Sequence, residues 1–205
     1  MEDLLELYEQ PYDPRRPQVC FDERPVQLVA ETRTPIEPRP GQCERFDYEY
    51  RRCGTANLYL VLEPLRGWRK VTVTEQRTNA DFAQQMKDLV DRHYPRAEKI
   101  RVVLDNLNSH GGAALYQTFK PEEARRILRK LEFHYTPKHG SWLNLAEIEF
   151  SVMSRQCLDR RIPSLDKLRS ILSPWEKRRN RDHATVNWRF TLTKARTKLH
   201  RLYAS

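Results

Sequence analysis

Short apolar or alternating runs fill the first part of the chain, and helical spacing replaces them after Thr78. Runs with the length and period of β-strands lie at 19–21, 45–54, 56–65 and 68–75. The connection between the last two runs is short enough for a hairpin. This part of the chain therefore predicts three or four strands that pair antiparallel.

Helices and strands alternate in the second part of the chain. Asn79 is the predicted N-cap of a helix that ends before Pro95, and Ser141 is the predicted N-cap of a largely apolar helix. Between these helices lie buried strands at 99–106 and 131–137. Strand–helix–strand units favour parallel pairing with right-handed crossovers. We therefore predict an α/β fold with a mixed five-stranded sheet, antiparallel in its first three strands and parallel after them, flanked by helices.

Basic residues are concentrated in the last quarter of the chain. Residues 151–205 contain fourteen Lys and Arg against four Asp and Glu, whereas residues 1–150 contain 23 against 24. Such a basic segment is either a solvated helical face or a surface for a polyanion, most simply nucleic acid. The residues predicted to contact a DNA backbone are Lys177, Arg178, Arg179, Arg181, Lys194, Arg196 and Lys198.

Several protein classes do not fit the composition. No apolar run approaches the length of a membrane span, and the acidic start MEDLLELYEQ lacks the basic and apolar regions of a signal peptide. The four cysteines form no CxxC pair, so zinc fingers and disulfide frameworks are unsupported. The sequence predicts a protein of a reducing, cytoplasmic compartment without a membrane partner.

Two aspartates follow apolar runs of strand type. Asp22 follows 19–21, and Asp105 follows 102–104 in the stretch VVLDNLNSH. Each aspartate alone fits a turn former that accepts backbone hydrogen bonds. If the first strand lies beside the strand at 99–106, both carboxylates lie at neighbouring strand ends, the usual ligand site of an open α/β sheet. Two carboxylates there repel each other unless a cation lies between them, and hard ions such as Mg²⁺ prefer oxygen ligands.

A third carboxylate is available on the helix that is predicted to begin at Ser141. Glu147 shares a narrow polar stripe with Asn144 and Ser151, because their separations are three and four residues. Glu149 lies roughly 160° from Glu147 on the helical wheel. A carboxylate in an apolar helix is costly unless it is paired or bound to metal, and this cost applies to both glutamates. The wheel leaves the choice between them open, with a rim position or an arginine partner as the other role for Glu149.

Three motifs taken together, CFDE, VVLDNLNSH and TPKHGSWLNLAEIEF in that order, resemble the catalytic core of DDE transposases. The resemblance is to the bacterial insertion-sequence family numbered 630, a group of mobile elements related to the mariner-like ones, and it covers nearly the whole chain. It implies an RNase H-like fold in which Asp22, Asp105 and Glu147 are the catalytic acids and hold two Mg²⁺ or Mn²⁺ ions. It also implies cleavage and strand transfer on double-stranded DNA, namely element ends and a TA target. Cutting and joining two ends favours a homodimer, and the expected location is the bacterial cytoplasm, in association with the nucleoid.

Other residues in and near these motifs have supporting roles in the prediction. Asn106, His110 and Asn144 are expected to orient the substrate or to support the acids, and capping of the next helix is the alternative for the first two. Trp142 is expected to pack in the core rather than to stack on a nucleic-acid base.

The predicted organisation has an entry segment at 1–17, an RNase H-like DDE catalytic core at 18–158 and a basic helical C-terminal extension at 159–205. Relatives usually carry helix-turn-helix domains before the core, and about seventeen residues cannot contain one. We therefore expect a core without that domain. Two rival interpretations are another RNase H-like nuclease and a catalytically inactive, truncated remnant that binds DNA.

Overall fold

Five strands form one mixed sheet in this computed structural model, which describes residues 1–106 and 111–200. β1, β2 and β3 pair antiparallel, whereas β4 is parallel to β1 and β5 is parallel to β4. The order across the sheet is β3-β2-β1-β4-β5, which confirms the predicted mixed sheet. The strand bounds are β1 Gln18–Glu31, β2 Tyr50–Glu63, β3 Trp68–Thr74, β4 Ile100–Leu104 and β5 Leu131–Tyr135.

The first two strands are longer than the sequence predicts. β1 does not end at Asp22, and the two strands predicted at 45–54 and 56–65 form the single strand β2. The ladder between β1 and β2 continues as far as Glu31. The apolar pattern ends earlier because the outer part of this strand pair is solvated, yet its backbone groups are still satisfied by the partner strand.

Seven α-helices accompany the sheet in the described part of the chain, and none of them is long and apolar enough to cross a membrane. The helix break predicted at Pro121 separates α3 from α4. The helix bounds are α1 Glu2–Glu9, α2 Asn79–Asp88, α3 Gly112–Thr118, α4 Pro121–Lys130, α5 Leu145–Met153, α6 Leu165–Arg181 and α7 Leu192–Lys198.

The strands bury two separate apolar clusters, because their side chains alternate between the two faces of the sheet. On one face Cys20 and Val103 pack with α1, α5 and α6. On the other face Phe21 and Val102 pack with α2 and α4. Residues two positions further along β1 and β4 return to the first face, so α5 covers the side on which the candidate acids lie.

Two helices are capped by residues other than the predicted ones. Thr78, not Asn79, caps α2: its side chain accepts a hydrogen bond from Asp81 N, and the Asp81 carboxylate accepts one from Thr78 N at 2.9 Å. Asn144, not Ser141, caps α5, because a 3₁₀ turn precedes the helix. Each local sequence contains two good cap residues, and the extended backbone at Thr78 and Asn144 selects the one that is used.

The C-terminal region packs against the sheet instead of projecting from it. α6 contributes Leu168, Leu172 and Trp175 to the same apolar cluster as α5. Glu176 of α6 also accepts a hydrogen bond from the backbone of β3, at 2.6 Å from Val71 N. The regions on the two sides of the boundary predicted between residues 158 and 159 therefore share one hydrophobic core.

Candidate active site

Adjacent parallel strands bring the first two candidate acids to one edge of the sheet. The register between β1 and β4 pairs Gln18 with Arg101 and Cys20 with Val103. Two residues further on, the same offset leads to Asp22 on β1 and Asp105 just beyond β4. Both acids lie on the α5 side, since side chains two residues apart share a face of a strand. The predicted neighbouring of β1 and β4 is thus correct, although Asp22 lies within its strand rather than at its end.

Asn144 ties the start of α5 to β1 beside Asp22. Its side-chain Nδ2 donates a hydrogen bond to the carbonyl oxygen of Phe21 at 2.8 Å, and its Oδ1 accepts one from Ala146 N at 3.2 Å. Asn144 is fully buried, so both bonds are shielded from water. The first helical turn, which carries Glu147, is thereby held against the strand that carries Asp22. Asn144 contacts backbone groups and positions the helix, a role that combines capping with support of the acids.

The Asp22 carboxyl lies in an environment that disfavours its charged form. It is only 8% exposed, and burial raises its pKa to about 7. The hydrogen bond from Glu23 N to Asp22 Oδ1, at 2.8 Å, lowers the pKa, and the carboxylates of Glu147 and Asp105 raise it. Asp22 therefore lies within electrostatic reach of both other candidate acids, and a cation among them would relieve the repulsion.

The three acids offer the right chemistry for a hard divalent ion. Within residues 1–106 and 111–200, neither Asp22 nor Glu147 forms an ion pair with Lys, Arg or His. Their carboxylates are oxygen donors, as Mg²⁺ and Mn²⁺ prefer. The same described residues contain no group of three His, Cys, Asp or Glu side chains already gathered at ligating distance. The acids thus fit such an ion in kind and in charge, and binding requires their side chains to close around it.

Glu149 has a different environment from Glu147, although both are on α5. Glu149 is fully buried, and its Oε1 lies 2.9 Å from Arg69 Nε, while its Oε2 accepts a hydrogen bond from Arg179 Nη2 at 2.8 Å. Asn180 Nδ2 also donates to the backbone oxygen of Arg69 at 2.8 Å. Glu149 therefore has the arginine partner that the sequence allowed for, and it links α5 to β3 and α6, whereas Glu147 is exposed at the start of the helix.

A cleft of about 450 Å³ opens beside Asp105, at the end of β4 and β5. His139 in its wall has a positive φ of 61°, a backbone conformation that few residues other than glycine adopt. Asn106 also lines the cleft, which brings it next to the acids, whereas His110 lies outside the described residues. The remaining lining residues are Thr136, Pro137, Lys138 and Ser141.

A second cleft of about 550 Å³ lies along β1 beyond Asp22, and two arginines and Asp159 are its charged lining residues. Arg24 and Arg155 line it, and Arg24 Nη1 donates a hydrogen bond to Ser154 Oγ at 2.8 Å. The sequence analysis missed these two arginines. The available signal was the strand period, because Arg24 is two residues after Asp22 and so shares its face.

The basic residues predicted to meet DNA do not all face solvent. Arg179 is drawn inward by Glu149, with its side chain only 19% exposed, so we remove it from the predicted DNA surface. Arg196 is exposed but pairs with Glu2 at 2.8 Å. Four of the predicted residues are exposed and form no ion pair with another described residue: Lys177, Arg178, Lys194 and Lys198. Arg181 is exposed beside Asp182.

The fold is shared with solved transposase structures. Similar chains occur in the Mos1 transposase paired-end complex with left transposon end (TM-score 0.59, 19% identity), the Mos1 mariner paired end complex with Mn (0.57, 19%) and the Mos1 Strand Transfer Complex (0.59, 17%). Each alignment covers 89% of this chain and 56%, 55% and 54% of those chains, so this chain spans about half their length. The shared fold is RNase H-like.

Comparison of the sequence with known proteins and families shows the family of this chain. Among curated proteins there is no match. The family described as DDE superfamily endonuclease matches residues 17–169, about three quarters of the chain, and this range contains all three candidate acids. The match covers a mixed sheet with one candidate acid on β1, one just beyond the adjacent strand β4 and one on α5, and it shows that the chain belongs to the DDE superfamily endonuclease family.

Proposed function

We propose that this chain is the catalytic core of a DNA transposase of the bacterial insertion-sequence family numbered 630. The observation that carries the proposal is the convergence of three acids: Asp22 on β1, Asp105 just beyond the adjacent parallel strand β4, and Glu147 in the first turn of α5, which Asn144 ties to β1. Similarity to chains solved with transposon-end DNA and in a strand transfer complex supports it. Asp22, Asp105 and Glu147 are the proposed catalytic acids.

The same three carboxylates would hold two Mg²⁺ or Mn²⁺ ions. When bound, such ions make a water molecule nucleophilic and stabilise the leaving oxygen of a phosphodiester. The similarity to a structure determined with Mn is consistent with this choice of metal. The chain's own contribution is to bring three oxygen donors together, one on β1, one just beyond the adjacent strand β4 and one on a helix anchored by Asn144.

Two phosphodiester exchanges account for the proposed reaction. In the first, water attacks a phosphate at the element's end, a P–O bond to the attacking oxygen forms, the bond to the leaving 3′-oxygen breaks, and the leaving oxygen takes up a proton. In the second, the free 3′-hydroxyl attacks a target phosphate, loses its proton, and displaces another 3′-oxygen. One P–O bond is exchanged for another, so joining needs no energy-rich cofactor.

The two clefts beside the acids give DNA a path across the site. Lys138 lines the cleft next to Asp105, and Arg24 and Arg155 line the cleft beyond Asp22. Exposed cations on α6 and α7 extend the positive charge. Phosphate contacts of this kind attract double-stranded DNA without reading its sequence. We further propose element ends and a TA target as the substrates, a homodimer as the active form, and a nucleoid-associated, cytoplasmic location.

Nicking of supercoiled plasmid in Mn²⁺ at low salt tests the catalytic assignment. We expect the wild type to nick, and Asp105→Asn to lose nicking because it removes one charge from the acidic site without changing side-chain size. Asp166→Asn is the matched control, since the Asp166 side chain is 93% exposed on α6 and outside the site. Equal nicking by wild type and Asp105→Asn would reject the assignment.

A joining assay separates the proposal from its rivals. A labelled element end with a free 3′-hydroxyl is incubated with plasmid, and joined product is the expected result. Cut ends without joined product indicate a plain RNase H-like nuclease. Plasmid binding without nicking or joining, in the wild type, indicates an inactive remnant that binds DNA.

A further inference from the structure

Trp142 is an exposed tryptophan at the start of the helix that carries Glu147, contrary to the core position that its sequence context predicts. It is 47% exposed and lies in the 3₁₀ turn Ser141–Leu143 that leads into α5. Single exposed apolar residues are common on protein surfaces and by themselves indicate nothing. This one differs from an isolated exposed residue, because its ring contacts two other aromatic rings while nearly half of the residue is exposed.

Two further aromatic side chains pack against the Trp142 ring. Trp188 is stacked against it with centroids 6.5 Å apart, and Phe190 meets it edge-on at 5.6 Å. We call these three residues the aromatic platform. Trp188 is itself fixed by a hydrogen bond from its Nε1 to Phe190 O at 2.7 Å and by contact with Tyr8, centroid to centroid 5.3 Å. The Trp142 ring thus packs against rings that are themselves fixed, which lowers the entropy lost when a flat ligand stacks on it.

The charge of the two segments that supply the platform favours an anionic ligand, and an acid beside them is Glu9 of α1, which lines a cleft with Trp188. Neither 133–146 nor 183–200, the two segments that supply the platform, contains Asp or Glu. Arg189 lies between the other two rings in sequence and is exposed, and Lys194 Nζ donates to its carbonyl oxygen at 2.9 Å. Lys138 lines the cleft that also contains Asp105. A flat aromatic surface among cations is the combination that binds single-stranded nucleic acid: bases stack, and phosphates meet the charges.

The platform is also close to the candidate acids along the chain. Trp142 is five residues before Glu147, so their Cα atoms are separated by at most about 18 Å. Nucleotides of one strand are spaced by roughly 3.4 Å or more along a duplex axis. A base on the platform therefore belongs to a nucleotide within about five positions of a phosphate held at the acids.

We propose that Trp142 is the stacking surface for an unpaired base of the DNA strand that enters the active site. The inference rests on the proposed function, which identifies the nucleic acid as DNA. It adds that one base near the cleaved phosphate must leave the duplex. Stacking is indifferent to base identity, so the platform selects for strand separation and not for sequence.

Binding of labelled single strands, measured by fluorescence anisotropy in EDTA, tests the platform. The two probes are an oligothymidylate of about 20 nucleotides and an abasic strand of the same length, which keeps the phosphates and lacks the bases. We expect Trp142→Ala to weaken binding of the oligothymidylate about tenfold or more and to leave binding of the abasic strand unchanged. Trp142→Phe should retain most of the affinity. Tyr12→Ala is the matched control, because Tyr12 is an equally exposed aromatic (47%) outside the platform.

Two results overturn the platform: unchanged oligothymidylate binding by Trp142→Ala, or an equal loss on both probes. The second result would indicate a structural or electrostatic role, and circular dichroism of each variant checks folding. Plasmid nicking by the same wild-type preparation separates the two proposals. If the wild type nicks plasmid but binds both probes equally, the platform is rejected and the catalytic proposal stands. If it prefers the oligothymidylate but does not nick, the catalytic proposal is rejected and the platform stands.

Discussion

Asp22→Asn should stabilise the metal-free protein, although it removes a residue of the candidate active site. The Asp22 carboxyl is almost fully buried, and the carboxylates of Glu147 and Asp105 add repulsion to the cost of burial. An asparagine has nearly the same shape, and its Oδ1 can still accept the hydrogen bond that Glu23 N donates. The substitution therefore removes a charge that folding disfavours and keeps the local structure.

The magnitude follows from the pKa of Asp22, which rises from 3.8 in a reference peptide to about 7 in the folded protein. Below the lower value both states are protonated, and the group has no effect on stability. As the pH rises between the two values, the unfolded state loses its proton first, so the free energy of unfolding falls by about 1.4 kcal/mol per pH unit. The destabilisation approaches about 4 kcal/mol above the folded pKa and is about 1.5 kcal/mol at pH 5.

Urea unfolding in EDTA at pH 5 and pH 8, followed by circular dichroism, measures this difference. The gain in the free energy of unfolding from Asp22→Asn should be larger at pH 8 than at pH 5, by up to about 3 kcal/mol. Glu147→Gln should give a smaller gain at pH 8, because it removes only one of the charges that act on Asp22. Mn²⁺ should stabilise the wild type at pH 8 and Asp22→Asn much less. Equal effects of Asp22→Asn at both pH values would refute the reasoning.

Three other substitutions test the supporting structure. Glu149→Gln should lower the free energy of unfolding by about 3–5 kcal/mol, because it leaves two arginines without their buried partner. Glu147→Gln should not destabilise the protein, and urea titrations compare the two variants. Asn144→Ala should lower the melting temperature through loss of the cap and of the bond to Phe21 O. Asn144→Asp keeps the cap oxygen but buries a carboxylate against Phe21 O, so at neutral pH it should lower the melting temperature at least as much; scanning calorimetry ranks the two variants and the wild type. Replacing Lys177 and Arg178 with glutamine should reduce the salt dependence of duplex binding by a slope of about two, and unchanged slopes would exclude these residues from the DNA surface.

Local sequence patterns predict much of the fold. The change from strand to helical spacing after Thr78 marks the passage from the antiparallel strands to the alternating part of the chain, and the predicted mixed sheet is confirmed. The errors in helix starts and strand ends fall where short-range signals are ambiguous. Asn144 and Ser141 are both good N-caps, and β1 continues past Asp22 because its partner strand, not its own apolar content, satisfies its backbone.

The sequence by itself determined the kind of site: acids after two apolar runs and acids on a helix, in the order of a known family. Only the tertiary structure decided the surroundings of each side chain. Arg69 and Arg179 are 80 and 30 residues from Glu149, and packing of β3 and α6 against α5 brings both to it, which leaves Glu147 as the exposed acid on that helix. The same packing withdraws Arg179 from the basic surface and leaves Trp142 half exposed. Local pattern specifies which elements form, but the partner of a buried charge is supplied by another element and is known only once the elements pack.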